Sequence, residues 1–162
     1  YHGFGARVGA PGTGVVLQNR GAGFTLEPGH PNRLGPGKRP FHTIIPGMLL
    51  RDGELAGPFG VMGAHMQAQG HLQVVSAMVD RSLDPQEALN APRFRCDPGA
   101  DGWGLALETE LWHLADDLAR RGHVVRCDRD VGGFGGGQII QCVGDELVAG
   151  SEPRKDGYAA GI

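Results

Sequence analysis

Glycine supplies 29 of the 162 residues, far above the roughly 7% of an average chain, and no other feature constrains the fold as much. The glycines keep no fixed period, which excludes a collagen-like rod. They read as many tight turns and close backbone approaches between short elements. With 40% hydrophobic and 20% charged residues, the chain has the profile of one soluble globular domain, or most of one, able to bury a core. No apolar run approaches the ~18 residues that span a bilayer. The 15 Lys and Arg are scattered among 18 Asp and Glu for a net charge of −3, so no basic surface for nucleic acid is expected. The start at Tyr1 carries neither a Met nor a charged-then-apolar leader, which reads as a processed product or a fragment. Cys96, Cys127 and Cys142 are odd in number and lack C-x-x-C spacing; they read as reduced packing thiols and favour the cytoplasm over a periplasmic or secreted location, without fixing the compartment.

The opening "YHGFGARVGAPGT" holds too many glycines for a regular element, and "GVVLQN" (14–19) reads as a short buried strand. Residues 20–40 read as one long ordered loop, a type of segment that is usually functional. Next, "HTIIPGMLLRDGELAGPFGVMG" reads as strand, Asp-Gly turn and strand. From Ala64 the pattern turns helical, with Leu72, Val75, Ser76, Val79 and Leu83 on one face. "LDPQEALNAPRF" starts another helix, with Asp84 as N-cap, Pro85 in the first position, Glu87 completing a capping box and Pro92 ending it. In "TELWHLADDLARRG" Thr109 is the expected cap, Leu111, Leu114, Ala115 and Leu118 the apolar stripe, and Gly122 the stop. "HVVRC", "GQIIQCV" and "ELVAGS" are further strands. The sum is an α+β layered domain.

Most chemical signatures are missing. "GGFGGGQII" lacks the Gly-Lys-Ser/Thr of a phosphate loop and leads into a strand. His2, His30, His42, His65, His71, His113 and His123 show no metal-ligand spacing, and His113 reads as a surface or boundary residue. No G-x-S-x-G elbow or Ser-His-Asp order is present. Two features remain. Arg93 and Arg154 each follow a proline, where a fixed backbone either aims a guanidinium at a substrate carboxylate or makes a structural ion pair. "GVMGAH" (60–65) is either a plain strand-to-helix turn or a set of free N–H groups at a helix start that stabilises an oxyanion.

The ordered motifs "FGARVGAPGTGVVLQNRGAGF", "PGHPNRLGPGKRP", "GVMGAHMQAQ", "NAPRF" and "SEPRKDGYAAG" resemble the small subunit of the γ-glutamyltransferases, which are N-terminal-nucleophile hydrolases. The resemblance runs from about Phe4 to the C-terminus. It implies a four-layer αββα sandwich built from a large and a small subunit after the precursor cuts itself ahead of a threonine. That Thr, with its α-amino group as base, attacks an amide, and the acyl-enzyme passes to water or an amine. The resemblance places the Thr upstream of Tyr1, so residues 1–162 read as a small-subunit, C-terminal part lacking its first strand and inactive by itself. It implies no cofactor and no metal. The partners it implies are the large subunit of the same precursor and a small-molecule amide, with a homo-oligomer as a further possibility and neither nucleic acid nor membrane.

Carried over position by position, the oxyanion-hole glycines fall at Gly63 and Ala64, beside Met62 in the substrate-binding set. The Ser-Ser pair that takes the substrate carboxylate falls at His42 and Thr43. The Gln and Asp that hold the γ-glutamyl carboxylate and amine fall at Arg20 and Gly23, which removes the partner for an α-ammonium group. The "QNRG" variant is similar to the γ-glutamyltransferase-like branch that includes oxamate amidohydrolases, and it implies a carboxylate-bearing amide or a γ-glutamyl compound as substrate. The other reading of Arg20 is a salt bridge to Glu27. "GPGKRPFHTIIPG" (35–47) becomes a rigid pocket wall presenting His42 and Thr43. A β-lactam side-chain acylase and an inactive homologue serving as a binding or scaffold protein are the other functional readings.

Overall fold

A computed structural model describes residues 1–3, 5–99 and 102–161, which divide into two compact units, Tyr1–Thr43 and Ile44–Ile162.

The first unit contains no described strand or α-helix, only a 3-10 helix at Arg20–Gly23. The expected buried strand at 14–19 is reduced to one isolated bridge, Gly9 to Val16. Val15, Val16 and Leu17 are all exposed. Their backbone is nevertheless paired: Ala6 N donates to Leu17 O at 2.7 Å, Leu17 N to Val8 O at 2.8 Å and Ala10 N to Val15 O at 2.8 Å. The run is therefore neither a strand nor buried: among the described residues of this unit no sheet or helix layer lies against it.

Two asparagines organise the unit instead. Asn19 Nδ2 donates to the carbonyls of His2 (3.0 Å) and Gly5 (3.1 Å) while its Oδ1 accepts from His2 N (2.8 Å). Asn32 Nδ2 donates to Gly23 O at 2.6 Å, and its Oδ1 accepts from Phe41 N at 2.9 Å. The long loop is thus closed on itself, as an amide that both donates and accepts can bridge two backbone segments.

In the second unit, β1 (Gly47–Arg51) and β2 (Glu54–Met62) form the expected hairpin. Its turn residues Asp52 (φ 53°) and Gly53 (φ 88°) are both left-handed, as a tight two-residue hairpin turn requires. With β6 (Gly136–Val143) and β7 (Glu146–Ser151) they make an antiparallel sheet in the order β1-β2-β6-β7. α1 (Met66–Val79) and α2 (Pro85–Asn90) cover one face, where Val61, Val74, Ala77, Ala88, Leu89 and Ile139 form the core. The α2 capping box forms as expected: Asp84 Oδ1 accepts from Glu87 N at 2.8 Å and Glu87 Oε2 from Asp84 N at 3.1 Å. On the sheet's other face Met48 and Ile140 are exposed.

The face of α1 differs from the expectation. Its buried residues are Met66, Gln67, Gly70, Val74 and Ala77, while Leu72 and Val79 are exposed. The reason is close packing. A Cβ on Gly70 would lie 2.6 Å from Val61 Cγ1, so the sheet takes the helix's narrow face and leaves the leucine face outward.

A second sheet, β3 (Phe94–Gly99), β4 (Gly102–Leu107) and β5 (Val124–Cys127), pairs β3 antiparallel and β5 parallel to β4. Its first two strands were not expected from the sequence. α1 serves the outer edge of β3 with side chains. Gln73 donates to Phe94 O (2.9 Å) and accepts from Phe94 N (3.0 Å); one turn earlier, Gln69 donates to Cys96 O (3.0 Å) and accepts from Cys96 N (2.7 Å). Four edge groups that would otherwise template another strand are thereby satisfied. Between β4 and β5 the chain forms a 3-10 helix, Thr109–Leu114, running into α3 (Ala115–Arg120). The cap position falls at Glu108 rather than Thr109. Gly122 (φ 95°) ends the element as expected.

Glu108 does not cap because its carboxylate is engaged elsewhere. It accepts from Arg93 N at 2.6 Å and from two nitrogens of Arg154, each at 2.5 Å. Arg154 also pairs with Glu152 (2.6 Å), and Glu152 with Arg93 (3.0 Å). Both guanidiniums donate to Leu89 O, and Arg154 also to Ala91 O at 3.0 Å, so the orphan carbonyls ending α2 are satisfied. Arg93, Glu108 and Glu152 are each no more than 2% exposed. The structural alternative for the proline-flanked arginines is the one realised. Burial works against the Glu152 carboxylate, but hydrogen bonding from Arg154, the charge of Arg93 and the Gly137 N–H outweigh it and hold its pKa below the ordinary value.

Candidate functional site

β2 ends at Met62, whose partner is Gly136, and α1 begins four residues later. The connection passes through Gly63 at φ 145° and Ala64 at φ 52°. A left-handed alanine costs about 1–2 kcal/mol, so this turn holds a conformation that ordinary helix entry does not need. The carbonyls point into the helix: Met66 N donates to Gly63 O at 2.9 Å, and Gln67 donates to Ala64 O from both N and Nε2 at 3.2 Å. The Gly63 and Ala64 N–H groups donate to no described acceptor. Two adjacent free N–H groups at the positive end of a 14-residue helix form a concavity suited to negative charge. Met62 is exposed beside them.

His71 supports the turn from α1. Its Nε2 accepts from Val61 N at 2.9 Å, which requires a neutral ring with the proton on Nδ1. Burial pushes its pKa below the ordinary 6.5, in the same direction. The ring also stacks edge-on against Phe59, with centroids 5.1 Å apart. No ligand spacing marked this histidine, and only the fold shows that it accepts from the Val61 N–H of a core strand.

In the first unit, Arg20 and Thr43 come together across a sequence separation of 23: Arg20 Nη1 donates to Thr43 Oγ1 at 2.9 Å. The guanidinium carbon lies 4.6 Å from the centroid of the Tyr1 ring. Arg20 is 7% exposed, yet it forms no ion pair with Glu27 or any other described carboxylate. A buried guanidinium with one neutral partner keeps its fork available to a carboxylate. His42 is exposed next to Thr43, and Gly23 lies at the end of the 3-10 helix that begins with Arg20.

Among the described residues no three His, Cys, Asp or Glu side chains gather as metal ligands, and no described helix is long and apolar enough to cross a membrane.

The sequence profile described as gamma-glutamyltranspeptidase matches residues 1–162. The glutathione hydrolase-like YwrD proenzyme of Bacillus subtilis is 35% identical over 167 residues, covering 100% of this chain and 32% of that protein. The oxamate amidohydrolase proenzyme of Klebsiella pneumoniae is 35% identical over 179 residues, covering 99% and 31%. Among solved structures, cephalosporin acylase from Bacillus halodurans superposes with a TM-score of 0.86 at 46% identity, over 99% of this chain and 30% of that one. The chain therefore spans about a third of the length of these relatives.

Proposed function

The chain belongs to the gamma-glutamyltranspeptidase family, and from that premise we propose that the whole protein is an amide hydrolase or acyltransferase working through an acyl-enzyme. Residues 1–162 are its small-subunit part. The nucleophile in this reading is an N-terminal Thr, released upstream of Tyr1 by self-cleavage, with its own amine as base. Attack on the substrate carbonyl puts negative charge on its oxygen, and the Gly63 and Ala64 N–H groups receive that charge. Because backbone groups do this, alanine in place of a second glycine preserves the donor.

Arg20 takes the substrate's carboxylate, with Thr43 orienting the guanidinium and His42 beside it in the acyl-binding set. Gly23 offers no carboxylate to an α-ammonium group, so a carboxylate-bearing amide without a free amine, of the kind named for the Klebsiella relative, fits better than a γ-glutamyl compound. The large subunit of the same precursor is the partner. Met48 and Ile140, exposed on the helix-free face of the four-stranded sheet, present to it the apolar surface that sheet-on-sheet packing buries. The observation that carries the proposal is the strained Gly63–Ala64 turn with both N–H groups unclaimed.

The test uses the full-length protein. Intact mass and N-terminal sequencing should show a cut leaving an N-terminal Thr. The cut enzyme should hydrolyse oxamate or glutaryl amides better than γ-glutamyl amides. Arg20→Ala should raise KM for the carboxylate-bearing amide by about 10- to 100-fold, the worth of a hydrogen bond to a charged group. An uncut, inactive protein sinks the enzyme reading. An Arg20→Ala variant with unchanged KM sinks the assignment of Arg20.

A further inference from the structure

The glycine-rich stretch "GGFGGG", which lacks the Gly-Lys-Ser/Thr of a phosphate loop, is held by positive charge of the protein's own. Three successive carbonyls each accept from a different cation: Gly132 O from Lys155 Nζ (3.4 Å), Gly133 O from Arg95 Nη1 (2.7 Å) and Phe134 O from Arg93 Nη1 (3.1 Å). At the entry, Asp130 Oδ1 accepts from Gly132 N at 2.9 Å. Arg95 is itself fixed: both oxygens of Asp97 accept from its Nε, at 2.9 and 2.7 Å, and its guanidinium lies 5.3 Å from the centroid of the fully buried Phe134 ring.

This loop touches the Gly63–Ala64 turn from behind. A Cβ placed on Gly63 would lie 3.1 Å from Gly135 Cα, and one on Gly135 (φ 84°) would lie 2.9 Å from Met62 O and 2.8 Å from Val61 Cγ1. Gly136 then pairs with Met62 in the sheet. The peptide planes leading into the turn therefore rest on a backbone with almost no side chains of its own. A glycine run is the softest support a chain offers, and it is the segment whose carbonyls the three cations grip.

We propose that Arg95 is a positioning residue for the oxyanion donors. It acts through the loop at 132–137, with Lys155 and Arg93 holding the neighbouring carbonyls. The inference rests on the acyl-transfer reading above and deepens it. Arg95 does not touch substrate. It fixes Gly133 O, the loop fixes the backbone at Met62 and Gly63, and that backbone aims the N–H groups at the developing charge. Misplacing such donors acts on the transition state, where the charge is largest, and therefore on kcat rather than KM.

The experiment measures kcat and KM of the self-processed full-length enzyme on one amide substrate, together with thermal unfolding. Arg95→Ala removes the grip. Gly133→Ala is an independent perturbation, because its Cβ would fall 2.1 Å from Arg95 Nη1 and push the guanidinium off the carbonyl without deleting it. Both should lower kcat by about 10- to 100-fold, as a catalytic group displaced by an ångström does, with KM within about twofold. Arg95→Lys, which keeps one donor, should recover part of the loss. Arg121→Ala, removing an exposed cation beside α3 whose ion pair among the described residues is with Asp117, away from the Arg95 network, should leave kcat unchanged. Should Arg95→Ala not accumulate as folded protein, Gly133→Ala and Arg95→Lys carry the comparison. Wild-type kcat in Gly133→Ala and Arg95→Lys, or a change confined to KM or to the melting temperature, overturns the proposal. A wild-type protein without turnover overturns the acyl-transfer reading, and the proposal with it.

Discussion

In Tyr1–Thr43 the one described side chain that is buried belongs to Arg20, whereas in Ile44–Ile162 the buried set runs from Val61 and Val74 to Leu89 and Ile139. The first unit is tied by amides bridging backbone segments, the second by apolar layers plus one buried charge cluster. The energetics differ accordingly. A hydrogen bond exchanged with water contributes about 0.5–1.5 kcal/mol net, while removing one partner from a buried ion cluster costs about 3–5 kcal/mol because the other charge is left stranded. A segment held the first way can be rebuilt locally; one held the second way fails as a whole.

The sharpest way to break the contrast is Glu152→Ala. It strands Arg93, whose ion pair among the described residues is with Glu152, while Arg154 keeps Glu108, and should lower the unfolding free energy of the sheet unit by about 3–5 kcal/mol in denaturant titration. A loss below about 1 kcal/mol would mean that the cluster adds nothing beyond its neighbours' packing. In the other unit, Asn32→Ala removes the bonds to Gly23 O and Phe41 N and should cost about 1–3 kcal/mol locally. It would be read as faster amide exchange across residues 23–41 with unchanged exchange in β2 and β6. Equal acceleration in both units would erase the distinction.

The smallest effect is the pH dependence of His71. Its folded pKa is depressed by burial, so the unfolded chain binds the proton more readily. The stability from neutral His71 is therefore fully present above its ordinary pKa of 6.5 and is lost as pH falls from there through the lower folded value. Glu152, also depressed, acts with the same sign in a more acidic window, below the ordinary carboxylate value of 4.5. His71→Gln should flatten the upper slope of a stability-versus-pH curve and leave the acidic one.

What could be read from the residues, and what could not, follows the same division. The hairpin at Asp52-Gly53, the capping box at Asp84 and Glu87, the stop at Gly122 and strands β5 to β7 depend on neighbours a few residues apart, and all appear where local chemistry puts them. The Gly63–Ala64 turn was legible as a small-residue link between strand and helix, and Arg20 with Thr43 through ordered motifs rather than any spacing rule. Strands β3 and β4 were missed because "FRCDPG" and "GWGLAL" carry glycine, proline and charge that local preference assigns to loops; Gln69 and Gln73 on α1 stabilise that edge from outside the segment. The buried face of α1 was misassigned because Gly70, not a leucine, meets Val61.

From its sequence alone the chain determined its α+β class, most element boundaries and the family motifs, since these are set by covalent stereochemistry and near-neighbour hydrogen bonding. Only the tertiary structure decided that the helix starts from Glu108 rather than Thr109 with no side-chain cap, that Arg93, Glu108, Glu152 and Arg154 share one dry cluster, and that a glycine loop rests against the Gly63–Ala64 turn. Those outcomes depend on which distant groups are excluded from water together, and a charge withdrawn from water takes whatever partner the fold brings within reach.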